Sequence, residues 1–247
     1  MWRCFRSPTL LIIVSLALGA CQPPAPTITA PVSPSAPAGP VTAAEPRPTI
    51  DATLWAAATP GRSAVLSELR NDVRACAAAD QAWDEAVEGE CIYAGGGVRT
   101  GAEARVRLDL SEGVFVRLAA DTVFTLQSAS PPAADLAARL SLAAGKVWVA
   151  VLRTLGFQQV EVETPSGLAT VRGSFMSVNY APGIGRLVVT CLEGRCQLAG
   201  ASGRRTDLTV GQQAESAAVG QDPSAPRPMD ASQYADWAQN CPEAPRP

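Results

Sequence analysis

Three stretches of the sequence place apolar residues at every second position, and this pattern constrains the fold more than any other feature. In residues 105–110, 147–151 and 160–164, valine, leucine or threonine alternates with other residues. Successive side chains of a β-strand point to opposite faces, so each run predicts a strand with one face toward a core. The region from Ala64 to about Glu215 is therefore predicted to be all-β.

Glycines recur at the ends of these apolar runs. Each of five glycines follows an inward-type residue by three positions, as is usual for the tight turns of β-hairpins; they are Gly113, Gly145, Gly167, Gly194 and Gly211. At Gly113, the residues that a tight turn would place opposite each other do not form matching pairs, and we expect a bulge or a longer loop there. Recurrent short strands with glycine turns predict an antiparallel β-sandwich or a short β-solenoid, and the sequence does not separate the two.

Short helices are predicted to flank the β region. Residues 50–58 are rich in alanine and end before Pro60, and residues 231–240 form the second candidate helix. A proline-containing segment, 217–228, leads into that second helix. We therefore separate residues 217–247 as a proline-rich segment with a short C-terminal helix.

The first 20 residues have the organisation of a signal peptide. Arg3 and Arg6 precede a short apolar run at 10–18, well below the ~20 residues that a membrane-spanning helix needs. Residues 18–21, Leu-Gly-Ala-Cys, resemble the bacterial lipobox, in which the cysteine sulfur receives a diacylglyceryl group. The pattern predicts an extracytoplasmic lipoprotein anchored to the lipid bilayer through Cys21, at the cell surface or in the periplasm. The alternative is a plain secreted protein.

A proline-rich linker follows the predicted anchor. Residues 21–59 consist mainly of proline, alanine, threonine and serine, a composition that cannot build a core and that favours extended chain. We interpret this segment as a spacer that holds the domain away from the membrane. Residues 60–216 then form the predicted β domain.

The chain contains no histidine, and this absence excludes several classes of chemistry. Ser-His-Asp and Cys-His catalytic arrangements and histidine-bearing zinc sites all need that side chain. The net charge of −3 argues against a nucleic-acid partner. No C-x-x-C pair or calcium-loop spacing is present. We therefore expect a non-catalytic protein without a metal or a cofactor.

One pair of carboxylates deserves separate consideration as a hydrolytic site. Glu161 and Glu163 share one face of a predicted strand, with Cα atoms about 6.5–7 Å apart by strand geometry. Paired carboxylates at such distances can hydrolyse glycosides. A solvated outer face explains the same pattern, and we favour that interpretation over a carboxylate-dependent hydrolase.

The sharpest disulfide prediction concerns Cys191 and Cys196. If residues 193–194 form a two-residue hairpin loop, these cysteines face each other with Cα atoms about 4.5 Å apart. That distance lies at the short end of the range that a disulfide spans, and an exported protein permits the bond.

Three further cysteines lie in or after the β region. Cys76–Cys91 is the second expected pairing, and a bridge from Cys241 to either of these residues is the rival. An odd number of cysteines leaves one unpaired or bonded between chains.

The order of motifs between Ala64 and Glu215 resembles a FecR-type domain. Residues 95–101, Gly-Gly-Gly-Val-Arg-Thr-Gly, are similar to the family's "G-D-x-[IV]-R-T-G", and residues 164–167 match its Thr-Pro-x-Gly. Residues 171–174, Val-Arg-Gly-Ser, lie near its "V-R-G-T". The sequence departs from the family pattern at three positions, which are Gly96, Ser174 and Met176.

The resemblance implies an extracytoplasmic β domain that binds other proteins or cell-surface components. In the best-known members, this domain relays occupancy of an outer-membrane iron transporter to a cytoplasmic sigma factor. A lipoprotein would have no cytoplasmic segment, so we do not carry this iron-signalling role over. The resemblance therefore predicts a binding or scaffold module for a protein or a cell-envelope polymer. The alternative is a sensory component that acts through a separate transmembrane partner.

The resemblance also singles out residues with expected structural roles. Arg99, Thr100 and Gly101 belong to the first motif, and Arg172 and Gly173 belong to the third. We expect the two arginines to lie beside turns and to bond carbonyls or carboxylates. Gly173 is expected to permit a close backbone approach or a bulge within a strand.

Two aromatic side chains are predicted to point away from the apolar faces of their strands. Phe115 and Trp148 could form an exposed binding patch. They could instead lie under the C-terminal helix, together with Tyr234 and Trp237, and we favour this second interpretation.

Overall fold

The computed structural model describes residues 63–79, 81–111, 113–127, 136–151 and 159–245. The predicted signal peptide, Cys21, the proline-rich linker and the candidate helix at 50–58 lie outside these described residues. The rest of the predicted β domain and the C-terminal segment fall almost entirely within them.

The described residues form fifteen strands and one helix, which confirms the all-β prediction with a short flanking helix. The elements are β1 (Ser63–Arg70), β2 (Val73–Cys76), β3 (Asp84–Glu85), β4 (Cys91–Tyr93), β5 (Gly97–Thr100), β6 (Arg105–Ser111), β7 (Val114–Leu118), β8 (Val123–Gln127), β9 (Leu136–Val151), β10 (Gln159–Thr164), β11 (Gly167–Ala181), β12 (Arg186–Ala199), β13 (Arg205–Leu208), β14 (Gln212–Ser216), β15 (Arg227–Pro228) and α1 (Ala231–Asn240).

Three long strands bend at a glycine and change their pairing partners at the bend. The glycines are Gly145 in β9, Gly173 in β11 and Gly194 in β12, with φ of +90°, +56° and +78°. Before its bend, β9 pairs with β8 and β10, and after the bend it pairs with β7 and β11. β12 likewise pairs with β14 before its bend and with β13 after it. Positive φ suits glycine because no Cβ is present to clash.

The bends divide the strands into two sheets that share β9, β11 and β12. Sheet I runs β3–β2–β5–β8–β9–β10–β11–β12–β13 and contains the parallel pair β9–β10. Sheet II runs β4–β1–β6–β7–β9–β11–β12–β14–β15 and is antiparallel throughout. The arrangement is a sandwich whose two sheets are continuous through three bent strands, rather than a stack of repeated coils.

One apolar core lies between the two sheets. Sheet I contributes Phe124 and Leu140, and sheet II contributes Leu108 and Val149, all of them fully buried. The alternation predicted from the sequence is confirmed in each of the three runs, because the alternate valines and Leu108 belong to this core and Leu110 packs against it. Burial of these side chains is the main favourable contribution to folding.

The hairpin interpretation of the glycines is correct at some positions and wrong at others. Gly113 lies in the β6–β7 hairpin beside a register shift, as expected. Gly167 closes the β10–β11 hairpin opposite Thr164. Gly145 and Gly194 lie instead inside continuous strands. A strand bend and a tight turn both use a glycine with positive φ, so the local sequence does not separate them.

Helix α1 occupies the residues predicted for the C-terminal helix. Asp230 caps its first turn and forms a reciprocal capping box with Gln233. Among the described residues, no helix has the length and apolar composition needed to cross a membrane.

Candidate binding surface

Helix α1 covers the outer face of sheet II. A second apolar cluster forms there from Phe115, Trp148, Ala150, Phe175 and Leu192 of the sheet and from Met229, Trp237 and Cys241 of the C-terminal segment. Phe115 and Trp148 are each only 3% exposed. The interpretation of these two aromatics as an exposed binding patch is therefore wrong, and the alternative, that they pack under the helix, is confirmed.

Directional contacts hold the helix on this cluster. The indole nitrogen of Trp237 donates to Thr190 Oγ1 at 3.1 Å, and its ring meets Phe175 edge to face at 6.3 Å between centroids. Asp236 Oδ2 accepts from Trp148 Nε1 at 3.0 Å and from Lys146 Nζ at 2.6 Å. The indole N–H groups of Trp148 and Trp237 are thus both satisfied, which favours a single docked position.

A cluster of ionic side chains ties the residues after α1 to sheet II. Arg117 donates to Glu243 Oε1 at 2.6 Å and to Glu68 Oε2 at 2.8 Å, and Arg107 also contacts both glutamates. The hydrogen bond from Arg117 lowers the pKa of Glu68. Desolvation raises the pKa of Glu243, but its bonds to Arg117 outweigh that effect and the pKa lies below its usual value. Both carboxylates are therefore stabilised in the charged form.

The outer face of sheet I carries a shallow polar groove of about 460 Å³. It is lined by Gln159, Glu161, Leu168, Thr170, Arg172, Arg195, Cys196, Gln197, Ala199, Arg205 and Asp207. These residues come from β10 to β13, and the groove runs across four adjacent strands. The groove is open and mostly polar, unlike the enclosed apolar pockets that bind small molecules. We take this groove as the candidate binding surface.

Hydrogen bonds fix one side of the groove. Arg139 donates from two nitrogens to Glu161 Oε2, at 2.7 and 2.9 Å, and Gln159 Nε2 donates to Glu161 Oε1 at 2.8 Å. Arg172 Nε in turn donates to Gln159 Oε1 at 2.7 Å. Both oxygens of Glu161 are occupied by this network, so the carboxylate is positioned as a structural acceptor and not as a free acid or base.

The other side of the groove carries arginines. Arg172 and Arg195 lie directly opposite each other on β11 and β12, next to the two strand bends. Arg205, on β13, lies opposite Ala199 of β12. The remaining acidic residue of the groove, Asp207, accepts from Gln197 at 2.7 Å. The groove thus has a positive charge at each end and polar side chains between them.

The first motif residues have structural roles. The Arg99 guanidinium stacks on the Trp83 ring at 4.0 Å from its centroid, instead of bonding the carbonyl or carboxylate that was expected. Thr100 Oγ1 donates to Ala119 O at 2.6 Å and accepts from the backbone of Thr122 at 2.9 Å. The backbone of Gly101 donates to Asp72 O at 2.8 Å. This motif joins β5 to the neighbouring turns.

The third motif includes a bend residue and a groove residue. Gly173 has a positive φ and lies at a register shift between β11 and β12, which agrees with the bulge expected there. Arg172 contacts a side-chain carbonyl, that of Gln159, from the adjacent strand. The structure therefore places Arg172 in the candidate binding surface and Gly173 at its border.

The Cys191–Cys196 disulfide is confirmed, but its setting differs from the prediction. The two cysteines lie within the continuous strand β12, on either side of the Gly194 bend, with Cα atoms 5.8 Å apart. The hairpin that the sequence suggested does not form because β12 stays paired with β11 on both sides of the bend. The bond therefore links the two sheets across the bend.

The other predicted cysteine pairings are wrong. Cys76 is a free, buried thiol at the end of β2, where its residue pairs with Gly97. Cys91 lies in β4 opposite Val65, and its pairing with Cys76 is excluded because the Cys76 thiol is free. Cys241 is also a free, buried thiol, under α1. Burial raises the pKa of Cys241 to about 12.

Sequence reasoning did not identify the groove as a unit. Its arginines occur at alternating positions of β11 to β13, which marks them as outward-facing. Which of them lie together depends on strand register, and the hairpin assumption at Gly194 gave β12 the wrong partners. Among the residues that the structure describes, no three cysteine, aspartate or glutamate side chains converge as a metal site would require.

The comparisons with known proteins find one family model that is similar to the central part of the chain. The model of the family described as FecR protein matches residues 97–197, which extend from β5 to β12 and include most of the groove. No curated protein matches the sequence. Two crystal structures of a "putative anti-sigma factor" from Parabacteroides distasonis, at 2.50 and 1.65 Å resolution, each align with a TM-score of 0.48 and 17% identity. Each alignment covers 58% of this chain and 64% of that chain.

Proposed function

We propose that this protein is an exported lipoprotein whose β domain binds a protein or a cell-envelope polymer without catalysis, and the match of the FecR family model to residues 97–197 supports this proposal. Binding, the absence of catalysis and the lipid anchor depend on different residues and can be tested separately.

The difference between the two outer sheet faces carries the binding proposal. The outer face of sheet II is apolar and is covered by α1 of the same chain. The outer face of sheet I is polar, and its groove crosses four strands. A wide and shallow surface suits a macromolecule, because a small ligand could bury little of its own area there.

The contacts of the acidic groups support the non-catalytic part. Glu161 accepts from Arg139 and Gln159, and Asp207 accepts from Gln197. Glu163 is exposed on the same strand face as Glu161. A hydrolase of this kind needs two carboxyl groups, one to donate a proton to the leaving group and one to act as base or nucleophile, and Glu161 is held by Arg139 and Gln159. We expect Glu161→Gln and Glu163→Gln to change no glycosidase activity, because we expect no such activity in the parent chain.

The sequence at residues 18–21 supports the lipid anchor. Metabolic labelling with a tagged fatty acid tests it directly. We expect label on the wild-type protein, and no label together with release from the membrane fraction for Cys21→Ser. An unacylated wild-type protein in the medium would contradict the anchor and leave the binding surface to be tested separately.

Affinity capture tests the binding proposal. The detergent-solubilised full-length chain is immobilised and challenged with envelope extract. We expect a saturable partner whose capture decreases for variants of the groove, such as Gln197→Arg, and is unchanged for Gln239→Arg on the exposed side of α1. Repeated absence of any saturable partner would contradict the proposal.

The FecR-type domain also supports a sensory role as the alternative. In this reading, the groove binds its ligand and the protein passes the signal to a separate transmembrane partner. Crosslinking in intact cells distinguishes the alternatives. A transmembrane protein crosslinked to this chain only when the ligand is present would favour the sensory role, and a ligand-independent envelope partner would favour the scaffold.

A further inference from the structure

We infer that the outer face of sheet II is a second docking surface, which accepts an acidic helix of a partner protein when the chain's own C-terminal segment is released. The C-terminal segment is defined here as residues 227–245, which comprise β15, α1 and the residues after the helix. This surface lies on the other sheet from the groove, and its apolar composition differs from that of the groove.

The sandwich has its own core without the C-terminal segment. The main apolar cluster between the sheets takes all its members from residues 64–214. The segment contributes Met229, Trp237 and Cys241 to the separate cluster on the outside of sheet II. Release of the segment would therefore remove no side chain from the core between the sheets.

The segment is bound in the way that proteins bind separate peptides. β15 adds to the edge of β14 through two pairs of residues. Tyr234, Trp237 and Cys241 then pack on the sheet, with the i, i+3 and i+7 spacing of a helix bound in a groove. Of the ten residues of α1, only Trp237 is buried. A short helix held by one buried anchor can be exchanged for another helix without unfolding of the sandwich.

The face beneath the segment has the composition of a protein interface. Its apolar members include Phe115, Trp148 and Phe175. The Arg107 guanidinium lies over the Phe115 ring at 4.2 Å from its centroid. Aromatic residues and arginine are enriched in interfaces and often carry much of the binding free energy. Because a patch of this kind is unfavourable in water, it needs an occupant, which is either α1 or a competitor.

The charges at this contact restrict which helices can compete. Lys146 donates to Asp236 Oδ2 at 2.6 Å, and Arg117 donates to Glu243 Oε1 at 2.6 Å. The cationic groups belong to the sheet and the carboxylates to the segment. Glu68 of β1 also contacts Arg117, so the sheet neutralises part of its own charge. A competitor must therefore supply one carboxylate beside its aromatic anchor and another just beyond the end of its helix.

The covalent tether of the segment favours a different protein, and not a second copy, as the competitor. A segment joined by a short loop acts at an effective concentration of about 1 mM. A free helix of equal affinity at micromolar concentration would occupy only about one molecule in a thousand. A second copy of this chain supplies the same helix at the lower concentration, whereas a different protein can supply a helix that binds more tightly.

Fluorescence anisotropy of a labelled synthetic peptide, residues 227–245, tests the surface with the full-length chain in detergent as the receptor. We expect weak binding to the wild type and binding at least about tenfold tighter to Trp237→Ala, because its own helix competes less. Asp236→Ala, which weakens docking without truncating the anchor, should also bind the peptide more tightly than the wild type. Gln239→Ala changes an exposed residue of α1 and should bind like the wild type.

Two checks separate specific docking from non-specific binding to an apolar face. A peptide that carries both Asp236→Asn and Glu243→Gln should bind the Trp237→Ala receptor at least about fivefold more weakly than the unchanged peptide. Protection of the buried Cys76 thiol from alkylation verifies that the sandwich of each receptor is folded. Equal affinity of the two peptides, or of folded wild-type and variant receptors, would overturn the inference.

Photo-crosslinking in intact cells then identifies the occupant. A photoreactive phenylalanine analogue replaces Phe175, whose ring contacts Trp237. We expect a crosslink to α1 of the same chain in the wild-type background. In Trp237→Ala we expect an adduct with a different protein, through a segment that carries carboxylates and a large aromatic residue. An adduct between two copies of this chain, an adduct through a basic segment, or no adduct with another protein would overturn the inference.

Discussion

Replacement of Trp237 by alanine should undock helix α1 and expose the outer face of sheet II. Trp237 is only 2% exposed and contacts Phe175 and Thr190. Truncation of a buried tryptophan to alanine typically costs about 3–5 kcal/mol. A ten-residue helix is only marginally stable in isolation. We therefore expect the lost free energy to release the helix from the sheet, rather than to leave a cavity under a helix that stays docked.

Alkylation of Cys241 measures this release, because the thiol lies under α1 and is 1% exposed. Burial raises its pKa to about 12, so the docked thiol is both shielded and protonated at neutral pH. A loss of 3 kcal/mol shifts the docking equilibrium by about 100-fold. We therefore expect the alkylation rate of Cys241, followed by peptide mass spectrometry, to rise by about that factor in Trp237→Ala.

Two controls make the result specific to the helix. Gln239→Ala changes an exposed residue of α1 and should leave the alkylation rate near that of the wild type. Cys76, which is buried in sheet I, should stay protected in both variants. A rate for Cys241 in Trp237→Ala within threefold of the wild type would refute the assignment of Trp237 as the anchor of the helix.

The remaining predictions concern the bends, the disulfide and the ionic cluster. Gly145→Ala should destabilise the fold by several kcal/mol in denaturant titration, because the added Cβ would lie 2.6 Å from the Cα of Thr122. The matched variant Gly173→Ala should cost only about 1 kcal/mol, because the space around its added Cβ is open. Equal losses of stability in the two variants would contradict the close approach at Gly145. Removal of both Cys191 and Cys196 should cost about 2 kcal/mol for a six-residue loop, and an unchanged denaturation midpoint would argue against the bond. Glu68 and Glu243 have folded pKa values below their ordinary value of 4.5, so the stability they contribute is complete above that pH and is lost as the pH falls below it. Arg117→Gln should therefore cost about 1 kcal/mol at pH 7 and flatten the acid side of the stability curve; a parallel curve would contradict the pairing.

The periodic features of the sequence predicted much of the fold because they report burial directly. Val106 and Leu108, Val147 and Val149, and Val160 and Val162 all point into the core as their alternation required. The C-terminal helix was predictable with its bounds because it begins at a capping residue, Asp230. These signals are local, and tertiary structure did not override them.

The predictions that failed depended on long-range register. A glycine such as Gly194 has the same local preference for positive φ in a hairpin turn and in a bent strand, and only the neighbouring strand β11 decides between the two. The groove is composed of residues from four strands, so the proximity of Arg172, Arg195 and Arg205 could not be predicted without those pairings. Burial of Phe115 and Trp148, by contrast, was one of two predicted outcomes, because an apolar outer face needs a cover.

Site-specific photo-crosslinking in the cell envelope tests most directly whether the outer face of sheet I is the binding surface. A photoreactive amino acid is placed at Gln197 in the groove or at Gln239 on the solvent side of α1, and both positions tolerate a larger side chain because neither is buried. The account predicts a discrete crosslinked partner from position 197 and none from position 239. Crosslinks from position 239 alone would contradict it, since the helix and not the open sheet face would then contact the partner.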